Sequence, residues 1–510
     1  MFRPSNPVSD ADFFDREAEL AELGEHTSRL QAGAPSWVAI LGHRKVGKTS
    51  LLLELQRRTA SADLRFAILD TLEFSPLDAD LFRRFAIRVA DAVLSREVGV
   101  SLESRAGNPA AYRAALVASA RFSRFPDDLK AFLLELPELR IGPQTARTCL
   151  DLPERLALAC DLRLVVAWDE FQALAQLRGR WGEAVHPLLR SAWQQHKRVA
   201  YFVSGSERGM LRELVTAEHA PFFQHFAVMD LSVLPEEEGL RLLTQAAPPD
   251  RPIPVEVARS AVAVLGSHPF YLQLLGEELT RHPPPYGEAA LKQSLQALLF
   301  SRTGRLSLFF ESEHRGAVGR STFLAAALAA LAGGPLRLGE LAKAIHASSA
   351  AAAGYLKRLG DLVVREKDRY RLTDPVFATW VRWRSPGGTV VPAVLLGDEG
   401  ERAAARWLAG VGFELVYQSL ASRGAFDLLA LRGHHQLGVQ VRRRSLPLRF
   451  TQSEWDRMAA ESRRLGWRWL IVAVDPATEA VVPLDPARAP GRVVGIEAKI
   501  DNLLAWADQG

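Results

Sequence analysis

Cysteine is nearly missing from these 510 residues: Cys149 and Cys160 are the only two. They supply neither a disulfide framework nor a cysteine zinc site. Lysine is scarce too, at nine of the 63 basic residues, so the positive charge is almost entirely arginine. No apolar stretch reaches the roughly 18 residues that a membrane span needs. The nearest, around Phe323–Ala332, is short and rich in alanine. The opening MFRPSNPVSD lacks the basic-then-apolar pattern of a secretory signal. These absences predict a cytoplasmic chain without membrane contact. A net charge of +4 is small for this length and does not by itself point to nucleic acid. Hydrophobic content of 48% is that of a globular protein, so the deficits do not signal disorder. The length exceeds one core and predicts on the order of two to four domains.

What is present begins with a buried strand over residues 36–42, ending in glycine. A helix follows from Lys48 to Arg58, with Leu51, Leu52, Leu53 and Leu55 on its inner side. Further strand-length apolar runs are Leu64–Leu69, Leu162–Trp168 and Val199–Ser204, separated by helical patterns. Strands alternating with helices predict a parallel sheet covered on both faces. The stretch from Ser75 to Leu152 is helical in period and carries no chemical signal. Pro-rich breaks at Ala247–Pro254 and His282–Pro285 bound a helical segment. A helical block then runs to about residue 360 and ends in Val363–Leu372, two strands with a charged turn. Ser385–Thr389 reads as a linker, and a unit with helix, strand, strand, strand, helix and strand patterns follows.

Gly42-His43-Arg44-Lys45-Val46-Gly47-Lys48-Thr49 matches G-x-x-x-x-G-K-[ST]. The glycines let backbone N–H groups wrap an anion at the N-terminus of the following helix. Lys48 is expected to reach the β- and γ-phosphates of ATP, and Thr49, ahead of Ser50, to place its hydroxyl on Mg²⁺. Leu164–Trp168 is a buried strand that ends in Asp169-Glu170. Two adjacent carboxylates there suit Mg²⁺ coordination by Asp169 and water activation by Glu170. Ser204-Gly205-Ser206 closes a third strand, where Ser206 is placed to touch the γ-phosphate or the attacking water. Arg208 either adds positive charge at that point or is a solvated loop residue.

Phe14-Asp-Arg16-Glu17, the phosphate loop with Ser50-Leu51-Leu52, and Asp169-Glu-Phe-Gln172 occur in that order. Gly266-Ser-His-Pro269-Phe-Tyr271 and Tyr370-Arg-Leu-Thr-Asp374-Pro375-Val-Phe377 come later. Over residues 10–382 the chain resembles the archaeal-type ATPases, a branch of the STAND and AAA-like P-loop proteins. The resemblance implies that Phe14 and Arg16 lie beside the nucleotide base and that Pro269 belongs to a helical lid.

Residues 321–382 offer three helices and the Val363–Leu372 hairpin, the pattern of a winged helix. Its third helix, Ser348–Leu359, presents mainly alanines, which offer nothing to base edges. That leaves Tyr355, Lys357 and Arg358 there and Arg365, Lys367, Arg369 and Arg371 on the wing for phosphate contact. The alternative is a packing or autoinhibitory module. In the last unit, Glu401, Asp427 and Gln440-x-Arg442 resemble the PD-(D/E)XK layout of restriction-endonuclease-like domains, including Mrr-type enzymes. Arg442 stands where that layout has lysine, and arginine does not simply replace a catalytic lysine. An active metal-dependent nuclease, an inactive nuclease fold that binds nucleic acid through Arg442, Arg443 and Arg444, and a protein-docking module all remain open.

The predicted fold is α/β. It comprises a P-loop ATPase core (1–246), a helical lid (247–300), a winged helix (301–384), a linker (385–396) and a restriction-endonuclease-like domain (397–510). The cofactors expected are ATP and Mg²⁺. The partners expected are DNA and further copies of the chain, or protein partners if the C-terminal modules only signal.

Overall fold

The computed structural model of the protein describes residues 2–384 apart from 180 and 302, and then 390–392, 399–413, 415–419, 425–432, 435–488 and 498–507. Most of the expected linker thus lies outside the described residues. The chain divides into two compact units, residues 1–292 and 293–510.

The first unit contains α1 (Glu17–Gln31), β1 (Trp37–Leu41), α2 (Lys48–Thr59), β2 (Leu64–Asp70), α3 (Leu81–Val98), α4 (Pro109–Val117), α5 (Asp127–Glu135) and α6 (Pro143–Ala159). It continues with β3 (Arg163–Asp169), α7 (Trp181–Trp193), β4 (Val199–Gly205), α8 (Arg208–Thr216), β5 (Phe226–Asp230), α9 (Glu236–Gln245), α10 (Val255–Leu265) and α11 (Pro269–Leu279). All five strands run parallel in the order β2-β3-β4-β1-β5. The three central strands are almost wholly buried, as a sheet covered on both faces requires. On one face Val38 and Ile40 pack with Leu20 and Leu23 of α1 and Leu51, Leu52 and Leu55 of α2. On the other, Leu41 and Trp168 join a larger core with α3, α6 and α7, where Phe85 stacks on Trp168 with ring centroids 5.1 Å apart.

Two sequence expectations change. Strand β5 was not foreseen: as an edge strand it buries only Phe226 and Met229, so it shows no continuous apolar run. On α2, Leu53 is only half-buried, and the buried inner residue is Glu54. Its carboxylate accepts from Arg57 Nε (2.9 Å), Arg58 Nε (2.7 Å) and the Asp10 backbone N–H (2.8 Å). The Arg57 hydrogen bond, with the Asp10 and Arg58 donors, draws its pKa from 4.5 down to about 2. A carboxylate with a depressed folded pKa contributes stability above its unfolded pKa and loses it as pH falls through the folded value. Glu54→Gln is therefore expected to lower stability at neutral pH by roughly 2 kcal/mol. It should also flatten the loss of thermal stability between pH 4.5 and about 2, which melting curves across that range would test.

α12 (Glu288–Leu299) leads into the second unit, where α13 (Arg305–Val318), α14 (Thr322–Ala332), β6 (Leu336–Arg337), α15 (Leu338–Ala344), α16 (Ser349–Leu359), β7 (Val363–Glu366), β8 (Arg369–Leu372) and α17 (Pro375–Arg384) follow. Helices α14 to α16 and the β7–β8 hairpin fall where the sequence places them, and a three-stranded sheet is ordered β6-β8-β7. Beyond come β9 (Val390–Pro392), α18 (Glu399–Val411), β10 (Leu415–Ser419), β11 (Leu428–Arg432), β12 (His435–Arg442), α19 (Gln452–Leu465), β13 (Arg468–Val474), β14 (Val481–Leu484) and α20 (Leu503–Ala507). Their sheet is ordered β14-β13-β12-β11-β10-β9, with β10, β11 and β12 antiparallel and β12 parallel to β13. The helix–strand–strand–strand–helix–strand order read from the sequence is thus present. No described helix is long and apolar enough to cross a membrane.

Candidate nucleotide site

The site lies where the central strands end. β1 delivers the chain into the loop before α2, and two residues there turn left-handed: Lys45 (φ 66°) and Gly47 (φ 109°). At 109° only glycine is comfortable, so Gly47 directs the loop into the helix that starts at Lys48. Lys48 is buried, and its Nζ donates to the carbonyls of Gly42 (2.8 Å) and His43 (3.1 Å). Burial pushes its pKa down, while Asp169 and Glu170 pull it back up. Thr49 Oγ1 donates to Asp169 Oδ2 across 120 residues of sequence. Ser204 Oγ, at the end of β4, donates to the other oxygen, Asp169 Oδ1, at 2.5 Å. Thr49 and Asp169 form the hydroxyl–carboxylate pair that suits Mg²⁺, and these residues fit the ion the loop implies.

Glu170 follows in a left-handed conformation (φ 50°). Its Oε2 accepts from Ser206 Oγ (2.7 Å), Ser206 N (3.2 Å) and Gln172 Nε2 (2.6 Å). The carboxylate is thereby fixed at the cavity it lines, as a group that orients water must be. Ser206 thus bonds Glu170 through both its hydroxyl and its backbone N–H. Arg208 opens α8 and reaches His43 Nε2 at 3.1 Å and Asp230 Oδ1 at 3.1 Å. It is half-buried and touches His43 of the phosphate loop.

A cavity of about 260 Å³ collects these groups. Arg44, Lys45, Val46, Gly47, Lys48, Thr49 and Ser50 line it together with Asp169, Glu170, Phe14, Arg16 and Pro269. Gly42 and His43 serve as backbone and side-chain partners of Lys48 and Arg208. Arg16 is buried, in a left-handed conformation at the start of α1. It donates to Ser232 O (2.6 Å) and Glu19 Oε1 (3.0 Å), fastening α1 to the chain leaving β5. Pro269 is the first residue of α11, and α9, α10 and α11 pack on one another. α9, which packs with α10 and α11, lies before residue 247, where the lid was expected to begin.

Several site residues went unread in the sequence. Asp70 ends β2 in register with Asp169. Burial raises its pKa, and Asp169, Glu73 and Glu170 add to the shift. Three carboxylates, Asp70, Asp169 and Glu170, thus line one cavity with Lys48. Gln172 holds Glu170. His268, just before α11, is buried and stacked on Tyr271 with ring centroids 4.0 Å apart; burial, reinforced by His43, lowers its pKa to about 3.

The expected nucleic-acid residues of the second unit are arranged less simply. On α16, Lys357 and Arg358 are exposed, but Tyr355 stacks on Phe323 (5.2 Å, 11°), which makes it a packing residue. On the hairpin, Arg369 pairs with Glu340 (3.5 Å), Arg371 with Glu366, and Arg337 with Asp368 (2.6 Å); Lys367 forms the tip at φ 57°. In the last sheet, Gln440 and Arg442 lie on one face of β12 beside Asp427. Asp427 Oδ2 accepts from Gln440 Nε2 and from Val441 N (2.7 Å). Arg442 lies 4.0 Å from that oxygen, donates to Glu454 Oε1 (3.1 Å) and covers the Phe450 ring. Arg443 pairs with Glu399 (2.6 Å), and Glu401 lies on the first turn of α18. A guanidinium beside Asp427, with amide donors on the same oxygen, is a poor fit to a divalent cation. Among the described residues no group of three or more His, Cys, Asp or Glu side chains is arranged to hold a metal.

Comparison with known proteins agrees with the first unit. The family model described as Novel STAND NTPase 2 matches residues 140–288, from just before α6 to the first residue of α12. A Walker-type ATPase of Pyrococcus abyssi is 20% identical, with a TM-score of 0.52 over 75% of this chain and 99% of that one. The ORC2 protein of Aeropyrum pernix is 13% identical, with a TM-score of 0.47 over 75% and 97%. No curated protein matches the sequence. With its five parallel strands, phosphate loop and the likeness to the Pyrococcus ATPase, the first unit has the P-loop NTPase fold.

Proposed function

We propose that the chain binds and hydrolyses ATP with Mg²⁺, and that nucleotide state controls a DNA-contacting second unit. The observation that carries the first part is the convergence of Lys48 and Thr49, after β1, with Asp169 and Glu170, at the end of β3, on one cavity. Lys48 neutralises phosphate charge, Thr49 and Asp169 hold Mg²⁺, and Glu170 takes the proton of the attacking water. Ser206 and Gln172 keep Glu170 aimed, and Arg208 supplies charge beside the phosphate loop. Phe14, Phe13 and Leu242 offer an apolar wall for the base. Further copies of the chain would supply an arginine in trans.

For the second unit, Lys357, Arg358, Lys367 and Arg444 support contact with the DNA backbone without base selection. Arg442 beside Asp427 argues against metal-dependent cleavage, so this reading assigns binding and not cutting. The ion pairs at Arg369, Arg371, Arg442 and Arg443 favour a second reading, a regulatory ATPase whose C-terminal modules bind protein. Titration of labelled single- and double-stranded DNA, with and without ATP and Mg²⁺ or Mn²⁺, separates the two. The DNA reading expects salt-sensitive binding without cleavage. Neutralising Lys357, Arg358 and Arg444 should reduce the salt slope by about one per lost phosphate contact. Absence of DNA binding in every nucleotide state leaves the protein-partner reading.

A further inference from the structure

The segment before α1 lines the nucleotide cavity through Arg3, Pro4, Asn6, Pro7 and Val8, although none of these belongs to the phosphate machinery. It is fastened at both ends to different elements. At one end Phe2 is buried with its ring against α11, where a Cβ on Gly276 would lie 2.3 Å from the ring. Glycine at 276 is therefore the space the ring occupies. The next residue, Arg3, donates its backbone N–H to Gln273 Oε1 of α11 at 2.6 Å. At the other end Val8 N donates to Ser50 Oγ (3.0 Å) and Asp10 N to Glu54 Oε2 (2.8 Å), both on α2. Ser50 directly follows the Mg²⁺-binding Thr49. Two prolines, Pro4 and Pro7, stiffen the span between these anchors.

We propose that Phe2 and Gln273 are positioning residues that hold residues 2–10 as a strap across the cavity, and that this strap sets the lifetime of bound nucleotide. The proposal rests on the reading of the cavity as an ATP site. The strap ties α11 to α2, so neither can move away from a nucleotide without uncovering Phe2 or breaking the Arg3–Gln273 bond. Loss of one anchor should leave the phosphate contacts intact and lower the barrier to release.

The test is stopped-flow release of a fluorescent ADP analogue from the full chain, chased with unlabelled ADP and Mg²⁺. Phe2→Ala and Gln273→Ala should each speed release about tenfold or more, with the maximal hydrolysis rate at saturating ATP not reduced. Phe2→Leu, which refills the space beside Gly276, should return release close to the wild-type rate. Gln273→Ala removes the acceptor of the Arg3 N–H, with a side chain that lines the cavity, leaves the Phe2 residue in place and guards against misfolding of the Phe2 variant. Wild-type release rates in both alanine variants overturn the strap. A wild-type chain that retains no analogue at all overturns the ATP reading beneath it.

Discussion

Lys48→Ala is expected to weaken ATP binding at least about 100-fold. The amine is the one buried cation of the phosphate loop, and in the nucleotide complex it exchanges the Gly42 and His43 carbonyls for phosphate oxygens. Charge-assisted hydrogen bonds of this kind contribute about 3 kcal/mol when desolvated, and each 1.4 kcal/mol is about tenfold in affinity. Alanine also leaves Asp70, Asp169 and Glu170 lining the cavity without the buried Lys48 charge, so an incoming triphosphate meets more negative charge. The measurement is isothermal titration with ATP and Mg²⁺ on a variant whose circular dichroism matches the wild type. Affinity within threefold of wild type would mean that the cavity is not the nucleotide site.

Glu170→Gln should separate binding from turnover. The amide oxygen still accepts from Ser206, and the volume is unchanged, so ATP affinity is expected to stay near wild type. A glutamine cannot accept the proton of the attacking water, and loss of a positioned base typically costs 10²- to 10⁴-fold. Hydrolysis should therefore fall roughly 1000-fold while the variant accumulates bound ATP. Single-turnover hydrolysis followed by phosphate release is the assay. Equal turnover in the two proteins would assign the base elsewhere.

The parts of this site that were legible in the sequence are those where chemistry admits few residue types. Gly47 and Lys48 are fixed by loop geometry and phosphate charge, and Asp169-Glu170 follow a strand apolar enough to be recognised alone. Asp70 ends an equally apolar strand, and its place beside Asp169 depends on β2–β3 register, which local sequence does not encode. Gln172 and His268 acquire roles only through contacts formed by folding. The strap has no periodicity to read, because beyond the buried Phe2 ring its anchors are backbone donors. In the second unit the order of elements was readable, whereas the charge was not. Arginines counted as a cationic surface turned out to be paired with Glu340, Glu366, Glu399 and Glu454, partners chosen by hairpin geometry, helix placement and the capping of α19.

The strand order has a consequence for how the protein comes to exist. β1 carries the phosphate loop, yet its two neighbours in the sheet are β4 and β5, which end at Gly205 and Asp230. During synthesis the loop emerges early and then waits until β4 ends at Gly205 before its first flank can pair with it, and until Asp230 for the second. Asp169, which pairs with the Thr49 hydroxyl, is made before β4, and Ser204, its other partner, comes with β4. A nascent chain shorter than about 205 residues therefore exposes an unpaired apolar strand.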